Sequence, residues 1–181
     1  VSRRRFALLA CALAVAAAAA GYAFQRHDRE AAGDPLGLPK SRTPERRPDF
    51  TLADLSGARR SVAEWDGQVV LINFWATWCP PCREEIPGLI ELQRRLGDAG
   101  LQIVGIALDR PDAVQRLAAE LGINYPVLIG DLDVIAVARE YGNVIGALPY
   151  TVVVDRAGDI AFSRQGKLSL AEAEAAVSPA L

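Results

Sequence analysis

A three-layer α/β domain is the fold class that the sequence predicts, on three observations. Strand-like and helix-like stretches alternate beyond Pro48, one strand is apolar almost without interruption, and the alternation closes on a hairpin followed by a helix. The near-continuous run is Gln68-Val-Val-Leu-Ile-Asn-Phe-Trp75, which suits a strand covered on both faces. Arg83 to Leu96 follows, with Ile86, Leu89, Ile90 and Leu92 at helical spacing. Leu101 to Leu108 makes the next strand, Asp112 to Leu121 a second helix and Tyr125 to Ile129 a short strand. Leu132 to Tyr141 is a third helix, closed by Gly142. Thr151 to Val154 and Ile160 to Phe162, separated by Asp155-Arg-Ala-Gly158, read as a β-hairpin, and Ser169 begins a last helix.

The 181 residues leave room for one such domain, residues 48–181, and for something extra before it. Residues 1–47 hold nine Arg/Lys and four Asp/Glu, whereas residues 48–181 hold eleven against eighteen. The globular part is therefore acidic, which argues against nucleic acid as a partner, since that usually needs a basic stripe.

Ahead of it, Arg3, Arg4 and Arg5 precede nineteen residues without a charge, from Phe6 to Phe24. At ~1.5 Å per residue the run can cross the ~30 Å hydrocarbon core of a bilayer. Residues 1–24 are thus expected to be a signal anchor or signal peptide, with the arginines cytoplasmic and the rest exported. The run exceeds the usual signal core of ~7–15 residues, which favours a retained anchor. Ala16 to Ala20 and Gly21-Tyr22-Ala23 still offer small-residue cleavage sites. Ser2-Arg3-Arg4-Arg5-Phe6 resembles a twin-arginine export signal, and Leu8-Leu9-Ala10-Cys11 a lipoprotein box, although apolar sequence continues well beyond Cys11. An opening Val1 and the absence of Met point to an alternative start codon and a bacterial source. Residues 25–47, with Pro35, Pro39, Pro44, Gly33 and Gly37, keep no apolar period and read as a linker. The one histidine, His27, lies there as a solvated residue without a partner for a metal or a catalytic relay.

The chemistry is concentrated in Phe74-Trp-Ala-Thr-Trp-Cys-Pro-Pro-Cys-Arg-Glu-Glu-Ile-Pro87. Cys79 directly follows the buried strand, and Pro80-Pro81 starts the helix that holds Cys82. A thiol at that junction faces unpaired backbone N–H groups and the positive end of the helix dipole. Its pKa is expected to fall from ~8.5 toward ~3.5–7.5, making Cys79 a nucleophile. Cys82, one turn further in and less exposed, suits the resolving role that releases a mixed disulfide. A structural zinc site would call for four Cys or His ligands, and only this pair is available. A purely structural bridge would close almost no loop and so constrain the unfolded chain little.

The motif, read as Asn73 to Pro87, closely resembles the active-site signature of the membrane-tethered or exported thioredoxin-like proteins of the TlpA/ResA type, some of which reduce apocytochrome c. Pro48-Asp-Phe-Thr-Leu-Ala-Asp-Leu-Ser-Gly57 and Gly146-Ala-Leu-Pro-Tyr-Thr151 extend the resemblance, which covers roughly residues 45–175. Cytoplasmic thioredoxins lack the anchor and usually carry Gly-Pro between the cysteines.

The resemblance implies a thioredoxin-like three-layer α/β/α sandwich with an inserted helix-strand and an N-terminal membrane or signal segment. By position it makes Glu85 the acid that exchanges a proton with Cys82, one turn away on the same helix face. Partial burial would raise its pKa toward neutrality, and Glu84 would be the solvated neighbour. Pro149 matches the proline that follows a cis bond opposite the two cysteines, with the Leu148 backbone open to an extended substrate. Trp78, Pro80 and Pro81 would complete the substrate-binding surface. No cofactor beyond a redox-active Cys79–Cys82 disulfide, and no metal, is expected. The implied partners are a disulfide-bearing exported protein, the membrane through the N-terminal segment, and a membrane thiol transporter of the CcdA or DsbD type as electron donor. The implied location is the extracytoplasmic face of the bacterial inner membrane, with cleavage and secretion as the alternative. Two further readings stay open. A thiol peroxidase shares the scaffold, but its threonine usually stands three residues before the active cysteine, whereas Thr77 stands two before Cys79. A copper carrier or copper-site thiol reductase would bind through the thiolates, without Met or a nearby His to help.

Overall fold

The computed structural model describes residues 43–181, so the expected membrane or signal segment and most of the expected linker lie outside the described residues. Among the described residues, no helix is long and apolar enough to cross a membrane.

Seven strands form one mixed sheet: β1 Thr51–Asp54, β2 Arg59–Ser61, β3 Val69–Trp75, β4 Leu101–Leu108, β5 Val127–Gly130, β6 Tyr150–Val154 and β7 Ile160–Gln165, in the order β2-β1-β5-β4-β3-β6-β7. β3, β4 and β5 run parallel; β6 is antiparallel to β3, β7 to β6, and β1 to β5 and β2. Among the described residues four α-helices pack on it: α1 Pro80–Leu96, α2 Pro111–Leu121, α3 Leu132–Glu140 and α4 Leu170–Val177.

Every residue of β3 is buried, and its alternation divides the core. Val70, Ile72 and Phe74 point to one face, where Val134, Val137 and Ala138 of α3 meet them with Phe50, Trp65 and Tyr141. Val69 and Leu71 point to the other, against Leu89 and Leu92 of α1 and Ala173 and Val177 of α4. Trp75, at the C-terminal end of β3, joins Cys79, Cys82 and Ile86 to Val114 and Leu117 of α2. Burying each aliphatic side chain contributes about 1.5–3 kcal/mol, which is what seats the helices on both faces.

β1 and β2 were not expected. Their two short stretches bury only Leu52 and carry Arg59 and Arg60, so they show no period to read. Tertiary pairing of β1 with β5 makes them strands. Just ahead of them, Ile160 N–H donates to Glu45 O (2.7 Å) and Arg47 N–H to Gly158 O (2.9 Å), tying the end of the segment read as linker to the β6–β7 turn.

Candidate active site

β3 ends at Trp75, and the chain turns through Ala76, Thr77 and Trp78 before Cys79 caps α1. The turn is held from two sides. Cys79 N–H donates to Ala76 O (3.2 Å), while the Thr77 N–H (3.0 Å) and the Thr77 hydroxyl both donate to Asp109. Asp109 directly follows β4, whose parallel register with β3 brings it beside the turn. Sequence reasoning missed this residue, and its signal was an acid directly after the strand predicted to follow the motif helix.

Cys79 is extended (φ −96°, ψ 104°), with Pro80 and Pro81 at the first helical positions. Neither proline has an N–H, so the Cys82 N–H is the first backbone donor of the helix end available to a thiolate at Cys79. The two cysteines are joined in a disulfide with their Cα atoms 5.3 Å apart. Cys79 is 4 % exposed and Cys82 is fully covered. The expected order of exposure holds, but in the disulfide form Cys79 is much more covered than an open nucleophile. Trp78 (66 % exposed), Pro80 and Pro81 lie on the surface around it.

Just before β6, the strand paired with β3, Leu148 packs half-buried against the cluster that holds both cysteines. The Leu148–Pro149 peptide bond is cis, Pro149 is buried, and its carbonyl accepts the Gly166 N–H at 2.8 Å. Beside Trp78, a groove of ≈ 680 Å³ is lined by Asp109, Arg110, Ile129, Asp131 and Asp133 among others.

Glu85 is more buried than expected, at 3 % exposure, one turn beyond Cys82. Its Oε1 accepts from Asn73 Nδ2 (2.7 Å) and its Oε2 from the Leu168 N–H (2.9 Å). Burial raises its pKa above the usual carboxylate value, opposed by the Leu168 N–H, the Asn73 amide and the Lys167 charge. A carboxyl so placed can hold or release a proton nearer neutrality than a surface acid. Glu84, by contrast, is exposed and ion-paired to Lys167 (2.6 Å). Asn73 itself was quoted in the motif but given no role.

A CxxC disulfide at the start of the helix after an inner strand of a mixed sheet, with the residue before a cis-proline packed against its cluster, defines a thioredoxin-like redox protein. Comparison with known proteins narrows this class. The AhpC/TSA family model matches residues 44–163. The thiol-disulfide oxidoreductase ResA of Halalkalibacterium halodurans is 33 % identical over 163 residues, 87 % of this chain and 85 % of that one. ResA of Geobacillus thermodenitrificans is 34 % identical over 114 residues, 62 % of this chain and 63 % of the relative's length. A crystal structure of a thioredoxin-family thiol:disulfide interchange protein from Chlorobium tepidum superimposes with a TM-score of 0.69 at 32 % identity, covering 76 % of this chain and 96 % of that one. The chain belongs to the AhpC/TSA family and to the ResA-type proteins.

Proposed function

We propose that the protein is an extracytoplasmic disulfide reductase that passes two electrons from a Cys79/Cys82 dithiol to exported proteins, apocytochrome c among them. The observation that carries this reading is the redox pair itself, with Cys79 at the helix end, Cys82 buried behind it, and a buried carboxylate one turn further on. The Cys79 thiolate attacks a substrate disulfide, forming a mixed disulfide and expelling one substrate thiolate. Cys82 then gives its proton to Glu85, and its thiolate attacks the Cys79 sulfur. That step closes the Cys79–Cys82 disulfide and expels the second substrate thiolate. The substrate gains two electrons and leaves as two thiolates, which take up one proton from Glu85 and one from solvent, while the pair loses two electrons, the Cys79 proton having gone to solvent when its thiolate formed and the Cys82 proton to Glu85.

In an oxidising compartment the dithiol has to be regenerated from inside, and a CcdA/DsbD-type membrane transporter is the proposed donor. The N-terminal apolar segment is the proposed membrane tether. Trp78, Pro80, Pro81, Leu148 and Pro149 are proposed to receive the substrate chain around the cysteines.

Trapping on a disulfide-bearing apocytochrome c tests the assignment. Cys79→Ser should capture nothing, whereas Cys82→Ser should attack and stall as a mixed disulfide. Equal capture by both variants would overturn the roles, and peroxide turnover by the wild-type protein faster than disulfide turnover would replace the reading with a thiol peroxidase.

A further inference from the structure

Asn73 is the polar residue of an otherwise apolar β3, 1 % exposed, on the face that α1 covers. Its Nδ2 donates to Glu85 Oε1 (2.7 Å) and to Thr151 Oγ1 (3.1 Å) from the neighbouring β6 register position. Its Oδ1 is fully buried and has no hydrogen-bond partner among the described residues. Leaving such an acceptor unpaired is costly, so the arrangement suits only one state of its neighbour.

That state is the ionised carboxylate, because both Glu85 oxygens accept. When Glu85 gains a proton, one oxygen has to become a donor. On the Oε2 side the partner is the Leu168 N–H at 2.9 Å, a backbone donor that cannot receive the new O–H. A proton on Oε1 meets the Asn73 NH₂ group, the one side-chain amide in contact with the carboxyl that can turn from donor to acceptor. Rotation of the carboxamide by half a turn removes the conflict by bringing Oδ1 to Glu85. The Thr151 hydroxyl adapts, because it donates as readily as it accepts. The displaced NH₂ then swings away from Thr151, to where Oδ1 had been. Opposite Asn73 on β4 is Gly105, where an added Cβ would lie 3.0 Å from Trp75 Nε1 and 3.2 Å from Tyr125 Cε2. The Trp75 indole N–H and the Tyr125 hydroxyl are themselves buried without a hydrogen-bond partner among the described residues.

We propose that Asn73 is a positioning residue whose carboxamide takes two orientations, donating to Glu85 when it is ionised and accepting from it when it is protonated. Both proton states of the acid are then hydrogen-bonded without movement of the backbone, which a group that takes and returns a proton needs. The charged and titratable surroundings are few. Lys167 draws the Glu85 pKa down, Glu84 is held by Lys167, Tyr125 lies near the carboxylate, and Asn73 and Thr151 are neutral.

The inference rests on Glu85 as the proton acceptor for Cys82, but it can be tested without turnover. In the full chain with the disulfide closed, NMR follows the Asn73 side-chain amide through the Glu85 titration. Contact between its Nδ2 protons and Thr151 should hold above the Glu85 midpoint and disappear below it. Glu85→Gln should show the rotated orientation at every pH, because the Leu168 N–H leaves the Gln nitrogen facing Asn73. An unchanged Thr151 contact through the titration would overturn the proposal, even if trapping by Cys82→Ser succeeds. Rotation without any disulfide exchange would instead leave the switch standing and remove the proposed function. Asn73→Asp, an acceptor on both sides, should slow mixed-disulfide release about tenfold at pH 7, the value of a hydrogen bond to a charged group, with recovery as the pH rises. A uniform loss at all pH values would mark a merely structural residue and sink the proposal.

Discussion

The two faces of β3 treat buried polar groups in opposite ways. On the α3 face, Phe74 lies 6.2 Å from Tyr141 and 6.1 Å from Tyr150, ring centre to ring centre. Both phenols are satisfied there, Tyr141 donating to Pro48 O at 2.7 Å and Tyr150 to Tyr141 O at 2.8 Å. On the α1 face, the same strand carries Asn73 and Trp75 toward Glu85 and the disulfide, and three buried polar atoms, on Asn73, Trp75 and Tyr125, stay unpaired among the described residues. The difference teaches that the α3 face satisfies its buried phenols within the fold, while unpaired polar capacity gathers on the face that carries Glu85 and the disulfide.

The comparison can be broken from either side. Phe74→Ala should have the largest effect on stability, about 3–5 kcal/mol, because it empties a fully packed aromatic site. Chemical denaturation would measure that loss, and the pH profile of disulfide exchange should keep its shape. A profile displaced as far as that of a Glu85 variant would mean that the two faces are not separate.

Glu85→Gln should slow exchange by about 10²-fold, the lower end of the general acid–base range, with loss of a pH dependence near neutrality. A variant as fast as wild type from pH 5 to 8, with Glu84→Gln slow in its place, would show that the carboxylate had been assigned to the wrong residue. Stability carries a second signature. The Glu85 pKa is raised in the folded protein, so its contribution is fully present below the unfolded value and is lost as pH rises through the folded one. Denaturation at several pH values should show this decline in wild type and its absence in Glu85→Gln. Glu172 has the opposite sign. The Ser169 N–H and hydroxyl and Arg164 hold its carboxylate at about 2, so the stability it contributes is lost only as pH falls toward that value.

The smallest effects come from the tyrosines. Tyr141→Phe strands the Pro48 carbonyl and should cost about 1–2 kcal/mol. Tyr125→Phe removes a hydroxyl with no protein partner among the described residues, and should stay within about 0.5 kcal/mol. Equal losses in the two would erase the contrast between the faces.

The sequence by itself determined the order of the main strands and helices, because β3, β4 and the helices declare themselves through apolar periods that local spacing records. It located Cys79 and Cys82 as well, since a strand end and two prolines are local features, whereas Glu85 was singled out only by its place in the resembling family signature. α1 runs through Pro87, which local propensity alone would make a break. Burial of Ile86, Leu89 and Leu92 against the sheet carries the helix past it. Tertiary structure alone decided β1 and β2, the place of Asp109 beside Thr77, and the near-complete burial of Glu85. It also made Asn73 a partner of Glu85, twelve residues away, and of Thr151, seventy-eight residues away. Those contacts arise where strands distant in the chain are brought into register, and a periodicity read along the chain holds no information about which side chains a sheet will set next to one another.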